Sequence, residues 1–236
     1  EALLFDIKAM KELGFNMIRK HIKVEPSRWY MHCDREGILV WQDLPSPNRP
    51  EGHEAFARQN FEEEAVRIID AFENHPSIVQ WVVFNEGWGQ FDTERMTQVV
   101  IDKVSPQSLV CCASGWNDAE IGDIKDSHSY PYPSCPIDQK RACVNGEYGG
   151  ITLKVPGHIW PGGDFGYTTV ETPEDFTVMF NDLADKIKDH YYYGLNAAVY
   201  TQLSDVEIEK NGIYTYDRRI LKPYSPTGDL KNKILE

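Results

Sequence analysis

At 236 residues, with 41% hydrophobic and 12% aromatic residues, the chain is long enough to bury one sizeable core as a single domain. A formal net charge of -13 without any Lys/Arg cluster argues against nucleic acid as a partner and favours a neutral or weakly charged ligand. No uncharged apolar stretch reaches the length of a membrane span, so the expectation is a soluble protein without a membrane partner, cytoplasmic or periplasmic.

The chain opens directly into a helix, with Leu3, Leu4, Ile7, Met10 and Leu13 at helical spacing and Gly14 as its stop. A strand follows over Asn16 to His21, then a helix between Pro26 and Gly37 and a second strand over Ile38 to Leu44. The pattern Phe61, Ala65, Ile68, Ile69 and Phe72 predicts a long helix from about Glu54 to Asn74, ending before Pro76. Ile78 to Asn85 is an apolar strand, Thr93 to Val104 a helix, and Leu109 to Gly115 another strand. Short strands over Ser127 to Tyr130 and Ala142 to Glu147 come next. Thr172-Pro173-Glu174-Asp175 is an N-cap with Pro at the first helical position, and it opens a helix carrying Phe176, Met179, Phe180, Leu183 and Ile187. Ala197 to Leu203 is the last strand. Most of these strands are too uniformly apolar to have a wet face, and strand-helix alternation means a parallel sheet.

The residues at the strand ends carry the chemistry. Ile78 to Phe84 delivers Asn85-Glu86-Gly87-Trp88, and the strand at Ala142 delivers Glu147-Tyr148-Gly149-Gly150. A carboxylate at the C-terminal end of a buried strand is poorly explained by packing. Two of them supply what acid-assisted glycoside cleavage needs: one protonates the leaving oxygen while the other attacks or stabilises the anomeric carbon. Seven strands behind a leading helix predict an α/β fold, a (β/α)8 TIM barrel whose first strand is lacking from this chain. A doubly wound nucleotide-binding sheet is disfavoured, because Gly87-Trp88-Gly89 has Asp92 where the fingerprint needs a third glycine.

Four stretches then carry a resemblance. Asp6 to His21, Cys33-Asp34-Arg35-Glu36-Gly37 running on to Asp43, His75-Pro76-Ser77-Ile78 ahead of Asn85-Glu86, and Gly146-Glu147-Tyr148-Gly149 resemble the catalytic barrel of glycoside hydrolase family 2. That family includes β-galactosidases, β-glucuronidases and β-mannosidases. The resemblance covers residues 1–236 as one catalytic barrel, partial at its N-terminus. It implies a retaining β-glycosidase acting on a carbohydrate substrate, with Glu86 as general acid/base after strand four and Glu147 as nucleophile after strand seven. It also implies two β-sandwich domains ahead of the barrel in the full-length parent. The competing reading is a non-catalytic carbohydrate-binding barrel, or an inactive fragment that self-associates through its open strand edges.

Other candidate residues follow from position. Burial beside Trp81 or Trp88, together with the nearby charge of Glu147, would keep Glu86 protonated, as a general acid must be. Arg19 either holds Glu147 ionised or makes a structural ion pair with a barrel carboxylate; Tyr130 can donate a hydrogen bond to Glu147. Asn85 can bond a sugar 2-hydroxyl. His21 and His128 either contact substrate or fill the barrel mouth. Asp43 can bind a sugar hydroxyl, although Trp41-Gln42-Asp43-Leu44-Pro45 departs from the acidic strand-three motif of galactosidase-like members. Trp116, Trp160 and Tyr167 offer flat faces for sugar rings. No metal or other cofactor is expected: His32-Cys33-Asp34 lies on a helix, where adjacent residues point in different directions, and no second pair has zinc-ligand spacing. Five cysteines, two of them adjacent, fit reduced thiols better than a disulfide framework.

Overall fold

The computed structural model describes residues 1–47 and 54–224. Helix α1 (Ala2–Glu12) precedes β1 (Met17–Lys20), α2 (Ser27–Glu36), β2 (Leu39–Asp43), α3 (Ala55–Phe72), β3 (Ile78–Asn85), α4 (Thr93–Lys103) and β4 (Leu109–Ser114). Then come β5 (Ile124–His128), β6 (Ala142–Gly149), β7 (Ile151–Thr152), β8 (Thr168–Thr169), α5 (Pro173–Tyr192) and β9 (Leu195–Thr201). The sheets have strand orders β1-β2-β3-β4, β5-β6-β9 and β7-β8. The four strands of the first are parallel to their neighbours throughout. No helix of the described residues is long and apolar enough to cross a membrane.

The chain divides into two compact units. One holds Glu1–Lys11, Phe15–Ser127 and Pro136–Val144; the other holds Glu12–Gly14, His128–Cys135 and the chain from Asn145 onward. Strand β6 passes from the first to the second between Val144 and Asn145.

In the first unit the sheet is parallel because each strand is followed by a helix that returns the chain. The helices bury their apolar stripes on it: Ile7 from α1, Trp29, Tyr30 and Cys33 from α2, Phe61, Ala65 and Ile69 from α3, and Met96 and Val100 from α4. Trp81, Val83 and Phe84 of β3 meet them from the sheet. Phe61 stacks on Phe84 at 5.4 Å, and Phe91 closes edge-on against both. Each fully buried side chain of this size contributes about 1.5–3 kcal/mol relative to exposure. Helix α2 stops at Gly37, whose φ of 67° is the left-handed value glycine adopts without penalty, and the Gly37 N–H returns to Cys33 O.

In the second unit Thr172 caps α5 by accepting the Asp175 N–H at 3.1 Å, with Pro173 in the first turn as predicted. Phe176, Phe180, Leu183, Ala184 and Ile187 bury one face of that helix. Phe180 meets Tyr200 of β9 edge-on at 5.1 Å, and Tyr200 in turn meets Tyr148 of β6. The segment after β9 folds around a buried ion pair, Lys222 Nζ to Asp205 Oδ1 at 2.5 Å. Burial pushes the Asp205 carboxyl up and the Lys222 amine down, and their hydrogen bond opposes both shifts.

The strand expected over Ser127 to Tyr130 lies earlier, at Ile124–His128. Its alternation of buried Ile124 and Asp126 with half-buried neighbours was hidden by charge, because Asp126 is buried by accepting the Ser114 hydroxyl at 2.5 Å. Strand β9 likewise starts at buried Leu195 rather than Ala197, and the two-residue strands β7 and β8 were not foreseen. All five cysteines are free, as expected.

One charge cluster ties the loop after β4 to the start of β6. Asp118 accepts both terminal nitrogens of Arg141, at 2.7 and 2.8 Å, and Lys125 Nζ at 2.7 Å. The Arg141 guanidinium above all holds the Asp118 carboxyl well below the usual carboxylate range. Asp118→Asn should therefore cost about 2 kcal/mol at neutral pH, as charge-assisted bonds are lost. A depressed folded-state pKa stabilises fully above the unfolded value near about 4 and is lost as pH falls through the folded value. Urea melts of the wild type and the variant should accordingly converge as pH drops below about 4.

Candidate active site

In the first unit the end of β3 is organised by a buried ion pair. Arg19 of β1 donates through Nε and Nη2 to the two carboxylate oxygens of Asp43, at 3.1 and 2.8 Å, with side chains only 2% and 1% exposed. The same Nη2 donates to Asn85 Oδ1 at 2.8 Å. Because the strands are in register, with Arg19 opposite Trp41 and Asp43 opposite Val82, these side chains come from three adjacent strands. The Ile22 N–H adds a further bond to Asp43 Oδ2 at 3.2 Å. Both oxygens of Asp43 are thus engaged within the protein. Asn85 has its carbonyl oxygen fixed and its backbone N–H on Ser46 Oγ at 3.3 Å, which leaves the amide NH2 as its donor end.

Glu86 follows in a left-handed turn, with φ of 56° and its N–H on Ser114 O at 2.7 Å. Its Oε2 accepts the Trp88 indole N–H at 3.0 Å, and Gln90 Nε2 binds both Glu86 O, at 2.8 Å, and Trp116 O, at 3.1 Å. A Cβ at Gly89 would fall 1.5 Å from Pro47 O, so glycine alone fits where the turn crosses the chain after β2. His21 lies exposed just beyond β1.

In the second unit Glu147, in β6, is 14% exposed and accepts the Tyr130 hydroxyl on Oε2 at 2.7 Å. His128 Nδ1 lies 3.4 Å from the same oxygen, with its side chain 2% exposed. Tyr130 also reaches Thr201 Oγ1 at 2.9 Å, and its ring lies flat on Tyr167 with centroids 3.6 Å apart. Burial, and then the negative charge of Glu147, push the Tyr130 phenol well above its ordinary value, so it stays a donor to that carboxylate. Trp160 is half-exposed and meets Tyr216 edge-on at 5.4 Å.

Residues 1–227 match the model of glycosyl hydrolases family 2, TIM barrel domain. The chain belongs to glycosyl hydrolase family 2. A β-galactosidase of Clostridium acetobutylicum is 24% identical over 274 residues, 100% of this chain and 30% of that protein. A β-glucuronidase of Bacteroides fragilis is 32% identical over 88 residues, 34% of this chain and 12% of that protein. Among solved structures, a family 2 β-galacturonidase from Eisenbergiella tayi superposes with a TM-score of 0.74 at 17% identity, over 92% of this chain and 45% of that one. This family 2 chain thus spans about a third or less of the length of these two curated relatives. Its alternating strands and helices are those of the family's α/β barrel.

Sequence reasoning singled out Arg19, Asp43 and Asn85 separately; the structure binds them into one unit. It missed Ser46, Gln90 and Ser114, which act through backbone contacts at the end of β3. Only Gln90, following the Gly-Trp-Gly run, left a readable trace. Asp43→Ala should cost about 3 kcal/mol, because it strips a buried guanidinium of its paired carboxylate. Chemical denaturation of the variant measures that loss.

Proposed function

We propose that the protein carrying this chain is a retaining β-glycosidase that hydrolyses terminal β-glycosidic bonds, with Glu86 as acid/base and Glu147 as nucleophile. The observation that carries the reading is that each glutamate, in a family 2 barrel, has its own donor: Trp88 for Glu86 and Tyr130 for Glu147. A surface fold has no need of such fixed carboxylates at strand ends. The family relatives named β-glucuronidase and β-galactosidase support the substrate class, and the net charge of -13 favours a neutral or weakly charged sugar over an anionic polymer.

In the first step Glu86 gives its proton to the glycosidic oxygen while a Glu147 oxygen bonds to the anomeric carbon, and the leaving group departs as a neutral alcohol. In the second, Glu86 takes a proton from water as that water attacks the anomeric carbon, breaking the ester and restoring both carboxyls. The Tyr130 hydroxyl holds Glu147 in one rotamer for attack. Asn85, aimed by Arg19, offers its amide NH2 to the sugar 2-hydroxyl, a bond that strengthens as positive charge develops at the anomeric centre. The β-sandwich domains implied for the parent are part of the same proposal.

The full-length protein, assayed on a panel of aryl β-glycosides, should hydrolyse at least one, and proton NMR should show the β-anomer as first product. Glu147→Gln should abolish turnover. Glu86→Ala should slow unactivated glycosides by about 10²–10⁴-fold while sparing dinitrophenyl glycosides, which leave without protonation. Equal losses on both substrate types would remove Glu86 from the acid role.

A further inference from the structure

Trp88 and Trp116 are large apolar side chains that the fold leaves 55% and 41% exposed. Their rings meet edge-to-face, with centroids 5.8 Å apart and planes at 84°. Neither belongs to the core of the first unit. Both are nonetheless held in place. Trp88 is fixed by its indole N–H on Glu86 Oε2, and the Trp116 carbonyl is clipped by Gln90 Nε2, which also binds Glu86 O. Gly87 makes room for the pair: a Cβ there would lie 2.6 Å from Trp116 Nε1 and 2.4 Å from Asn117 Nδ2. An aromatic pair kept rigid and half in water beside a carboxyl is costly to expose unless something covers it.

The identity of that cover follows from the chemistry of Glu86. A general acid delivers its proton to the glycosidic oxygen, which leaves with the departing group. A half-exposed ring within hydrogen-bond distance of the acid is therefore placed to meet the leaving group as it departs. The geometry points to a leaving-group subsite formed by Trp88 and Trp116, selective for aglycones that present a flat apolar face, aryl or the C–H face of a sugar ring. This rests on Glu86 being the acid. Trp88 has two functions there: its ring contributes to the platform, and its N–H holds the Glu86 carboxyl in one orientation. Stacking of this kind is worth up to about 1.5 kcal/mol beyond area burial, or roughly tenfold in kcat/KM.

The test uses the full-length protein and two glycosides of whichever sugar it hydrolyses, one benzyl and one methyl, whose alcohols are similar in basicity so that the need for protonation is matched. The quantity read is the benzyl-to-methyl ratio of kcat/KM. Trp116→Ala and Trp88→Ala should each lower that ratio about tenfold. Trp88→Phe keeps a ring and removes the N–H, so it should preserve most of the ratio while slowing both substrates together. That pattern separates the platform from the hold on Glu86 and from a general loss of fold. A wild-type ratio near one, or one unchanged in both alanine variants while hydrolysis persists, overturns the subsite and leaves the β-glycosidase reading intact. Failure of the wild type to cleave any β-glycoside removes both.

Discussion

The buried Arg19–Asp43 pair is the constraint on which the end of β3 in the first unit depends. Two charges at 2% and 1% exposure are costly to desolvate, and they are tolerated because the guanidinium makes two parallel bonds to one carboxylate and a third to Asn85. The pair links the ends of β1 and β2 to the end of β3. That fixes Asn85, and with it the direction in which the chain enters the turn at Glu86. A hydrophobic isostere would pack as well, but it would hold no amide. The charge is retained here for orientation, and its cost is offset by the sheet core beneath, where Trp81, Val83 and Phe84 share one cluster with the buried faces of the helices.

The turn at Glu86 to Gln90 shows how backbone geometry sets side-chain direction. A left-handed glutamate costs about 1–3 kcal/mol, and it persists because neighbours over-determine it. Ser114 O takes the N–H, Gln90 takes the carbonyl, and Trp88 takes the side chain. Glycines at 87 and 89 leave the volume that Trp116 and Pro47 occupy. Each contact is modest. Together they leave Glu86 a single presentation.

The second unit reaches a similar end by another route. Its carboxylate, Glu147, is gripped by Tyr130, whose ring is itself fixed by stacking on Tyr167 and whose hydroxyl also bonds Thr201. Behind it, Tyr148 and Tyr200 fill the space under α5. The buried Lys222–Asp205 pair secures the segment after β9, and Lys222 also donates to Lys210 O at 2.9 Å. A phenol raised by burial is a donor across the whole physiological range, so Tyr130 keeps its hydrogen bond to the Glu147 carboxylate.

The alternation of apolar strands and amphipathic helices was legible in the sequence because burial periodicity is a local property. The two glutamates stood out as candidates for the same local reason, since a carboxylate following a strand such as Ile78–Asn85 contradicts its surroundings. Helix α5 could be placed from Thr172-Pro173 alone, because a cap is satisfied within four residues. Strand β5 was misplaced by three residues at its start, because a partner that lets Asp126 be buried is Ser114, twelve positions away. The same limit applies to the site. That Arg19 would pair with Asp43, and that Trp88 would hold Glu86 beside a half-exposed Trp116, depends on which strands neighbour one another and on a left-handed turn. The residue types were visible in the sequence, but their partners were chosen by strand register and turn geometry, which the packing of the whole sheet decides.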